Sequence, residues 1–161
     1  MATQLPVPLE LDLPEGWTSA PPDEVDAPGA AFVALHLPSS DGFTANITVS
    51  GSMRTGDNVL EETAEESLER LASATAGTAE LRERQVLGSD DAPGLMQLVD
   101  LTTTIDNQPL KLIQFQVYLL LRDVSDPEKQ VVVELMLTCK ESQFDTVLPD
   151  FQTFVSNIRP A

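Results

Sequence analysis

The stretch "LKLIQFQVYLLL", residues 110–121, decides the fold because it is apolar on both faces of an extended chain. Successive side chains of a strand point to opposite faces. One face carries a row of large apolar side chains, namely Ile113, Phe115, Val117, Leu119 and Leu121. The other face carries Leu112, Tyr118 and Leu120. A strand that is apolar on both faces lies inside a sheet that is covered on both sides.

Three more extended segments surround this strand in the sequence, at residues 80–87, 94–105 and 129–139. They are joined by the short connections "GSDDAP", "DNQP" and "RDVSDPE". Parallel strands need a crossover long enough for a helix, and these connections are too short to hold one. The sequence therefore predicts an antiparallel meander.

The N-terminal part predicts three strands and then a change of period. The strands are "LELDL", "AFVALHL" and "FTANITVSGSM", residues 9–13, 31–37 and 43–53, with Trp17 at a turn after the first. Residues 58–77 then place leucines at helical spacing, with glutamates on the exposed face. Residues 142–158 form a second predicted helix, in which Pro149 either bends the helix or separates its first turn.

These elements predict a single α+β domain over residues 1–161, with a core from about residue 9 to 160. The expected architecture is an antiparallel sheet of about six to seven strands with helices packed on it. Length, apolar content and the lack of repeats or linkers agree with one domain.

Charge and residue usage restrict the possible functions. The chain has 26 acidic and 9 basic residues, a formal net charge of -17. Such a surface repels nucleic-acid backbones and anionic lipids, so we expect neither partner. Two interpretations remain, a solvated surface that maintains solubility and electrostatic attraction of a basic partner.

Catalytic chemistry is poorly represented in the sequence. His36 is the only histidine and Cys139 the only cysteine, and both lie in predicted strands. We therefore expect a structural histidine and an inert buried thiol, with no catalytic residues and no soft-metal site. Carboxylates at Asp90 and Asp91, or in the segment 123–128, are interpreted as turn residues. The sequence predicts a protein that is not an enzyme and has no cofactor or metal.

The N-terminal stretch "MATQLPVPLELDLPEGW" has no basic region followed by an apolar region, as a secretory signal would. No window is apolar enough over the length of a membrane span. Cytoplasmic residence is the resulting expectation.

Five segments carry a resemblance to a known fold family. They are "LPEGW" (13–17), "AAFVAL" (30–35), "FTANITVSG" (43–51), "SLERL" (67–71) and "FQTFVSNIRP" (151–160). In this order the chain resembles the Mog1/PsbP-like superfamily, and more narrowly the actinobacterial LpqN/LpqT-like and DUF1795-type proteins. The resemblance covers nearly the whole chain and includes no catalytic motif.

The resemblance implies an α/β/α sandwich and a role in binding rather than chemistry. Members of the superfamily include a Ran GTPase-binding protein, a photosystem II subunit and chaperone-adaptors for secretion effectors. LpqN-like members are often exported lipoproteins, whereas this N-terminal stretch contains no lipobox cysteine. An envelope role is therefore not the expectation.

The predicted function is protein binding, as an adaptor or chaperone-like domain that can be linked to secretion or effector handling. The partner would be a protein or peptide with a basic or apolar segment. The candidate partner-binding residues are Trp17, Gln114, Gln116, Tyr118, Met136, Glu62 and Glu66. Trp17 has the alternative role of a core side chain, and the glutamates that of a solvated helix face. Two other functions stay open: a small-ligand pocket under the loop Pro21–Gly29, and a structural homodimer formed through a sheet edge or face.

Overall fold

The computed structural model of the protein describes residues 9–21, 30–38, 43–74, 79–88, 93–105, 107–122 and 130–160. The strands are β1 (Leu9–Glu10), β2 (Trp17–Ala20), β3 (Phe32–His36), β4 (Asn46–Arg54), β5 (Glu80–Gly88), β6 (Pro93–Ile105), β7 (Gln108–Arg122), β8 (Gln130–Cys139) and β9 (Arg159–Pro160). The helices are α1 (Val59–Ala74) and α2 (Glu141–Ser156). Within the described residues, seven strands form one sheet in the order β2-β3-β4-β8-β7-β6-β5.

Every neighbouring pair of strands in this sheet is antiparallel, which confirms the predicted meander. Strand β7 pairs with β6 on one side and with β8 on the other. Its side chains are buried on both faces, since Val117 is 3% and Tyr118 0% exposed. The predicted α+β class and the strand number are therefore confirmed.

The start of the chain differs from the prediction. Only Leu9–Glu10 of the first predicted strand is extended in a sheet, and it pairs with β9 in a separate two-stranded sheet. The main sheet begins instead at Trp17, where a turn was predicted. Gly16 reverses the chain with φ +92°, a conformation that suits glycine. Strand β2 is short and mostly polar, and its sequence shows no alternation of apolar and polar residues. It is a strand because it pairs with β3.

The two helices cover opposite faces of the sheet, which makes the protein an α/β/α sandwich. Helix α2 buries Val147, Phe151 and Phe154 against the face that carries Val117 and Leu135. Helix α1 buries Val59 and Ala64 against the face that carries Tyr118, Leu120 and Val132. Because neighbouring positions on β7 and β8 point to alternate faces, both layers depend on the same central strands.

Helix α2 begins at Glu141, before the predicted start at Ser142. The backbone N–H of Lys140 donates to Oε1 of Gln143 at 2.9 Å, which satisfies a polar group at the helix start. The Gln143 side chain also donates to the carbonyl of Phe43 at 2.7 Å and ties the helix to the segment before β4. The helix is continuous through Pro149, so its first turn is not a separate element.

Strand β5 forms one edge of the sheet and is exposed over most of its length. Its pairing with β6 is interrupted by a bulge between Leu81 and Glu83. Arg82 and Arg84 lie on the same strand. Bulges and charged side chains discourage the pairing of an open edge with another chain.

Candidate functional site

The face of the sheet under α1 contains a row of polar side chains. The strand registers place Arg84 opposite Gln97, Gln97 opposite Gln116, and Gln116 opposite Met136. Gln97 and Gln116 are both 0% exposed. A buried amide destabilises the fold unless its donors and acceptors are hydrogen-bonded. The hydrogen-bond partners of Gln97 and Gln116 therefore determine whether the row stabilises the fold.

The row is joined by a continuous chain of hydrogen bonds. Arg84 donates to Oε1 of Gln97 at 2.8 and 3.0 Å, and Gln97 donates to Oε1 of Gln116 at 2.5 Å. Gln116 donates to Gln114 at 2.5 Å, and Gln114 donates to Oγ1 of Thr138 at 3.1 Å. Gln97 also donates to the carbonyl of Ala64 in α1 at 3.1 Å, so the network fastens the helix to the sheet.

Tyr118 belongs to the same network. Its hydroxyl donates to Oε1 of Gln116 at 2.6 Å. Burial raises the pKa of Tyr118 to about 12, and the nearby charge of Glu134 acts in the same direction. The phenol is therefore neutral over the physiological range and contributes a hydrogen bond rather than a proton-transfer group.

Three of the predicted partner-binding residues lie in the interior. Gln116 and Tyr118 are covered by α1, which the sequence could not place on this face. Trp17 is 7% exposed, and its indole N–H donates to Asp150 of α2 at 3.0 Å. A partner cannot contact these three side chains while both helices stay packed. The structure therefore does not place Gln116 and Tyr118 on an accessible face, and Trp17 has its alternative role, that of a core side chain.

The other four predicted residues are accessible to different degrees. Gln114 and Met136 are half-buried on the α1 side of the sheet. Glu62 and Glu66 are exposed on α1. The structure thus separates the predicted set into a buried group, a half-buried pair on the sheet and an exposed pair on α1.

Helix α1 presents an acidic face made of Glu61, Glu62, Glu65, Glu66 and Glu69, all exposed. Two of them form ion pairs: Glu65 lies 2.6 Å from Arg84, and Glu66 lies 2.7 Å from Arg54. Among the described residues no ion pair involves Glu61, Glu62 or Glu69. These three carboxylates leave the face with net negative charge directed to solvent.

Sequence reasoning missed one residue of this region, Glu134 on β8. It is 8% exposed, and its side chain lies on the α1 side of the sheet next to Tyr118. The Ser50 hydroxyl donates to its Oε2 at 3.2 Å, whereas its Oε1 accepts no hydrogen bond. The nearest cation is Arg70, whose Nη2 lies 3.6 Å from Oε1. The available sequence signal was an acid inside the apolar run "VVVELML".

A shallow, open hollow of about 730 Å³ lies at the C-terminal half of α1, and Arg70, the cation next to Glu134, is one of its lining residues. Its lining residues are Arg54, Glu66, Glu69, Arg70 and Ser73. A second hollow of about 500 Å³ lies near the start of α2, with Arg82 and Asp100 in its wall. These two residues form a bidentate ion pair with each other.

Cys139 and His36, the two side chains that could support covalent chemistry, are buried. Cys139 is 0% exposed, and burial raises its pKa to about 12. The His36 ring is buried and packs against Trp17, with 5.0 Å between the ring centroids. In the described part of the chain no three side chains of the metal-binding types cluster together. Asp90, Asp91, the segment 123–128 and the pocket predicted under Pro21–Gly29 lie outside the described residues, apart from Pro21 itself.

These observations define a class of protein: an α/β/α sandwich with a buried network of hydrogen-bonded glutamines and one tyrosine, and with an acidic face on α1. Neither described helix has the length and apolar character needed to cross a membrane.

No family model matches the chain, and no curated protein matches its sequence. Solved structures do match, and they show the Mog1/PsbP-like fold that the sequence resemblance predicted.

Three similar structures illustrate this likeness. LpqN of Mycobacterium tuberculosis, described as involved in cell envelope biogenesis, has a TM-score of 0.64 and 12% identity, with 95% of this chain and 84% of that chain covered. PsbP of Synechocystis sp. PCC 6803 has a TM-score of 0.57 and 15% identity, with 95% and 86% covered. PA94 of Pseudomonas aeruginosa, a protein of unknown function, has a TM-score of 0.60 and 16% identity, with 80% and 81% covered.

Proposed function

We propose that this protein is a non-catalytic binding protein, an adaptor or chaperone-like domain that holds a polypeptide partner. It uses the acidic face of α1, defined by Glu61, Glu62, Glu65, Glu66 and Glu69, to attract a basic segment of that partner. Handling of a secreted or effector polypeptide is the finer form of the proposal and rests on the resemblance to secretion chaperone-adaptors. Action in the cytoplasm stays a prediction from the sequence.

The observation that supports the proposal is the presence of exposed carboxylates on α1 without a paired cation. Glu61, Glu62 and Glu69 are exposed and have no ion pair among the described residues. Complementary charges accelerate association and select partners, even where they add little affinity. A net charge of -17 extends this attraction beyond the helix.

The interior supports binding over catalysis. The buried amides and the phenol of Tyr118 are hydrogen-bonded to one another, and the raised pKa of Cys139 keeps its thiol protonated. A reactive cysteine needs a lowered pKa and access to solvent. LpqN, which has the same fold, is described as involved in cell envelope biogenesis, which is compatible with a role in binding.

The proposal is tested by photo-crosslinking in cells of the native host. A crosslinking amino acid is placed at Glu62, and in a second protein at Thr146, which is exposed on α2 at the opposite face. We expect a partner polypeptide, identified by mass spectrometry, to be captured from position 62 and not from position 146. Capture at equal levels from both positions contradicts the proposal, and capture of a second copy of this chain supports the homodimer instead.

Matched charge variants complete the test. The variant E61Q/E62Q/E69Q removes three charges from the acidic face. The control E15Q/E83Q/D145N removes three exposed charges from other parts of the chain. Capture should fall in the first variant and remain in the control. An equal fall in both shows that net charge, rather than this face, attracts the partner.

A further inference from the structure

We propose that the buried carboxylate of Glu134 is a docking site for a lysine side chain of the polypeptide partner, reached through the hollow beside α1. This inference rests on the proposed function and names the pocket within it. It assigns a role to Glu134, which belongs to no predicted site and to no part of the glutamine network.

The first argument is the unusual state of this carboxylate. Glu134 is 8% exposed, yet its Oε1 accepts no hydrogen bond. Buried polar atoms are nearly always hydrogen-bonded, and a buried charge needs a close counter-charge. In the described part of the chain Glu134 Oε1 is the only buried side-chain polar atom without a hydrogen bond. The oxygen can therefore accept a hydrogen bond from a cationic donor, and Arg70 supplies a nearby charge but no such bond.

The second argument is that Arg70 occupies the site only loosely. Its Nη2 lies 3.6 Å from Oε1, which is beyond hydrogen-bonding distance. The Arg70 side chain is 66% exposed, so its guanidinium can turn to solvent when another cation takes its place beside Glu134. Arg70 also lines the hollow. Its movement would connect the carboxylate with the hollow and with solvent.

The third argument concerns the kind of cation. The Ser50 hydroxyl already donates to Oε2, so only one oxygen of Glu134 lacks a partner. An arginine binds a carboxylate best when both oxygens accept in parallel. A lysine ammonium is a compact charge on a slender stem and needs only one such oxygen. Lysine therefore fits this carboxylate better than arginine.

The fourth argument is the charge at the entrance. Glu66 and Glu69 line the hollow together with Arg54 and Arg70. Glu66 is paired with Arg54, whereas Glu69 has no ion pair among the described residues. An incoming ammonium would meet Glu69 in the hollow and would reach Glu134 only after Arg70 has moved aside. The position of the hollow within the acidic face connects the docking of one side chain with the attraction of a whole basic segment.

The test uses the full chain and a defined probe, N-acetyl-lysine methylamide, in an NMR titration of backbone amides. Saturable shifts are expected at Ser50, Glu134 and Arg70. The matched probe carries an acetyl group on the side-chain nitrogen, which keeps the stem and removes the charge, and it should cause no shifts at these residues. Equal shifts with both probes overturn the proposal.

Variants identify the group that binds. Glu134→Gln keeps the shape of the side chain and removes the charge, and it should weaken probe binding at least about tenfold, or about 1.4 kcal/mol. Arg70→Gln should tighten binding, because the internal competitor is gone. Arg54→Gln removes the same charge from the same hollow and should tighten binding less than Arg70→Gln does. Unchanged binding by Glu134→Gln, or equal effects of the two arginine variants, overturns the proposal.

The two proposals fail in different experiments. If Glu134→Gln still captures the partner from position 62 at the level of the original protein, the binding function stands and the lysine pocket is wrong. If Glu134→Gln loses both the probe and the partner while its amide spectrum stays native, the pocket is supported. Native dispersion of the spectrum in every variant separates lost binding from lost folding.

Discussion

The indole N–H of Trp17 donates to Oδ2 of Asp150 at 3.0 Å and joins the first strand of the main sheet to the last helix across 133 positions of the chain. The Trp17 ring also packs on His36 of β3, with 5.0 Å between centroids. Gly16 lies beside the same imidazole, since a Cβ at this position would be 3.6 Å from Nε2 of His36. The only tryptophan therefore connects the sheet edge to α2 rather than lying at a binding rim.

Removing the indole N–H should destabilise the protein measurably. Trp17→Phe keeps an aromatic ring but leaves the half-buried Asp150 without its donor, and hydrogen bonds to charged groups contribute about 1.5–3 kcal/mol. We expect a loss of about 2 kcal/mol or more in the free energy of unfolding, measured by urea denaturation. Asp150→Asn is the control, because its amide oxygen still accepts and the loss should be smaller. Equal losses in the two variants would contradict a major role for this bond.

The buried glutamine network predicts a second stability effect. Gln116→Leu removes the acceptor shared by Gln97 and Tyr118, and each donor left without a partner costs about 1–3 kcal/mol. Gln97 keeps its bond to Ala64, so we expect a total loss of about 2 kcal/mol. Gln114→Leu, at the half-buried end of the network, should lower the free energy of unfolding less, because water can reach the polar groups that lose their partner. A larger loss for Gln114→Leu in urea denaturation would show that burial is not the deciding factor.

The raised pKa of Tyr118 predicts a loss of stability at alkaline pH. In the unfolded chain this phenol ionises near pH 10, whereas burial in the fold raises its pKa to about 12. The unfolded state thus releases the proton first, so the contribution to stability is complete below about pH 10 and disappears as the pH rises towards about 12. Tyr118 is the only tyrosine, so tyrosinate absorbance in the near ultraviolet measures the ionisation of this phenol directly.

Tyr118→Phe is the matched control for this pH dependence. It removes the ionisable group, so its stability should change less than that of the original protein over the same pH interval. Ionisation of native Tyr118 near pH 10 would show that the phenol reaches solvent, in contradiction to its complete burial.

Cys139 should be unreactive in the native state. It is 0% exposed on the α2 side of the sheet, and burial raises its pKa to about 12, so little thiolate forms at neutral pH. A disulfide reagent should label the native protein only as fast as the chain opens, and should label one thiol per chain in concentrated urea. Ser142→Cys, at an exposed position on α2, provides the reactive control. Rapid labelling of native Cys139 would contradict the packing of α2.

Much of the architecture could be predicted because strong local patterns agree with it. Residues 110–121 are apolar on both faces, and the strand they form is paired on both sides and buried. The leucine stripe of α1 and the apolar spacing of α2 predicted both helices to within a few residues. Strand β2 was missed because four residues with two exposed polar side chains carry no clear period.

The candidate site was less predictable, because it depends on which element covers which face. Gln116 and Tyr118 lie on a strand whose apolar pattern predicted cover on both faces, but the pattern does not say which element covers which face. Helix α1 packs on the face that carries Tyr118. Glu134 was missed for the same reason, since its burial depends on contacts with Ser50 and Arg70 from distant parts of the chain.

The sequence alone determined the central strand, the antiparallel order of the strands around it, the two helices and the negative charge, because periodicity, connection length and composition are properties of neighbouring residues. Only the tertiary structure decided that Trp17 faces Asp150, that the glutamines lie under α1 and that one oxygen of Glu134 has no donor. The physical reason is that burial and hydrogen bonding are set by residues far apart in the chain, such as Ser50 and Glu134, which are separated by 84 positions.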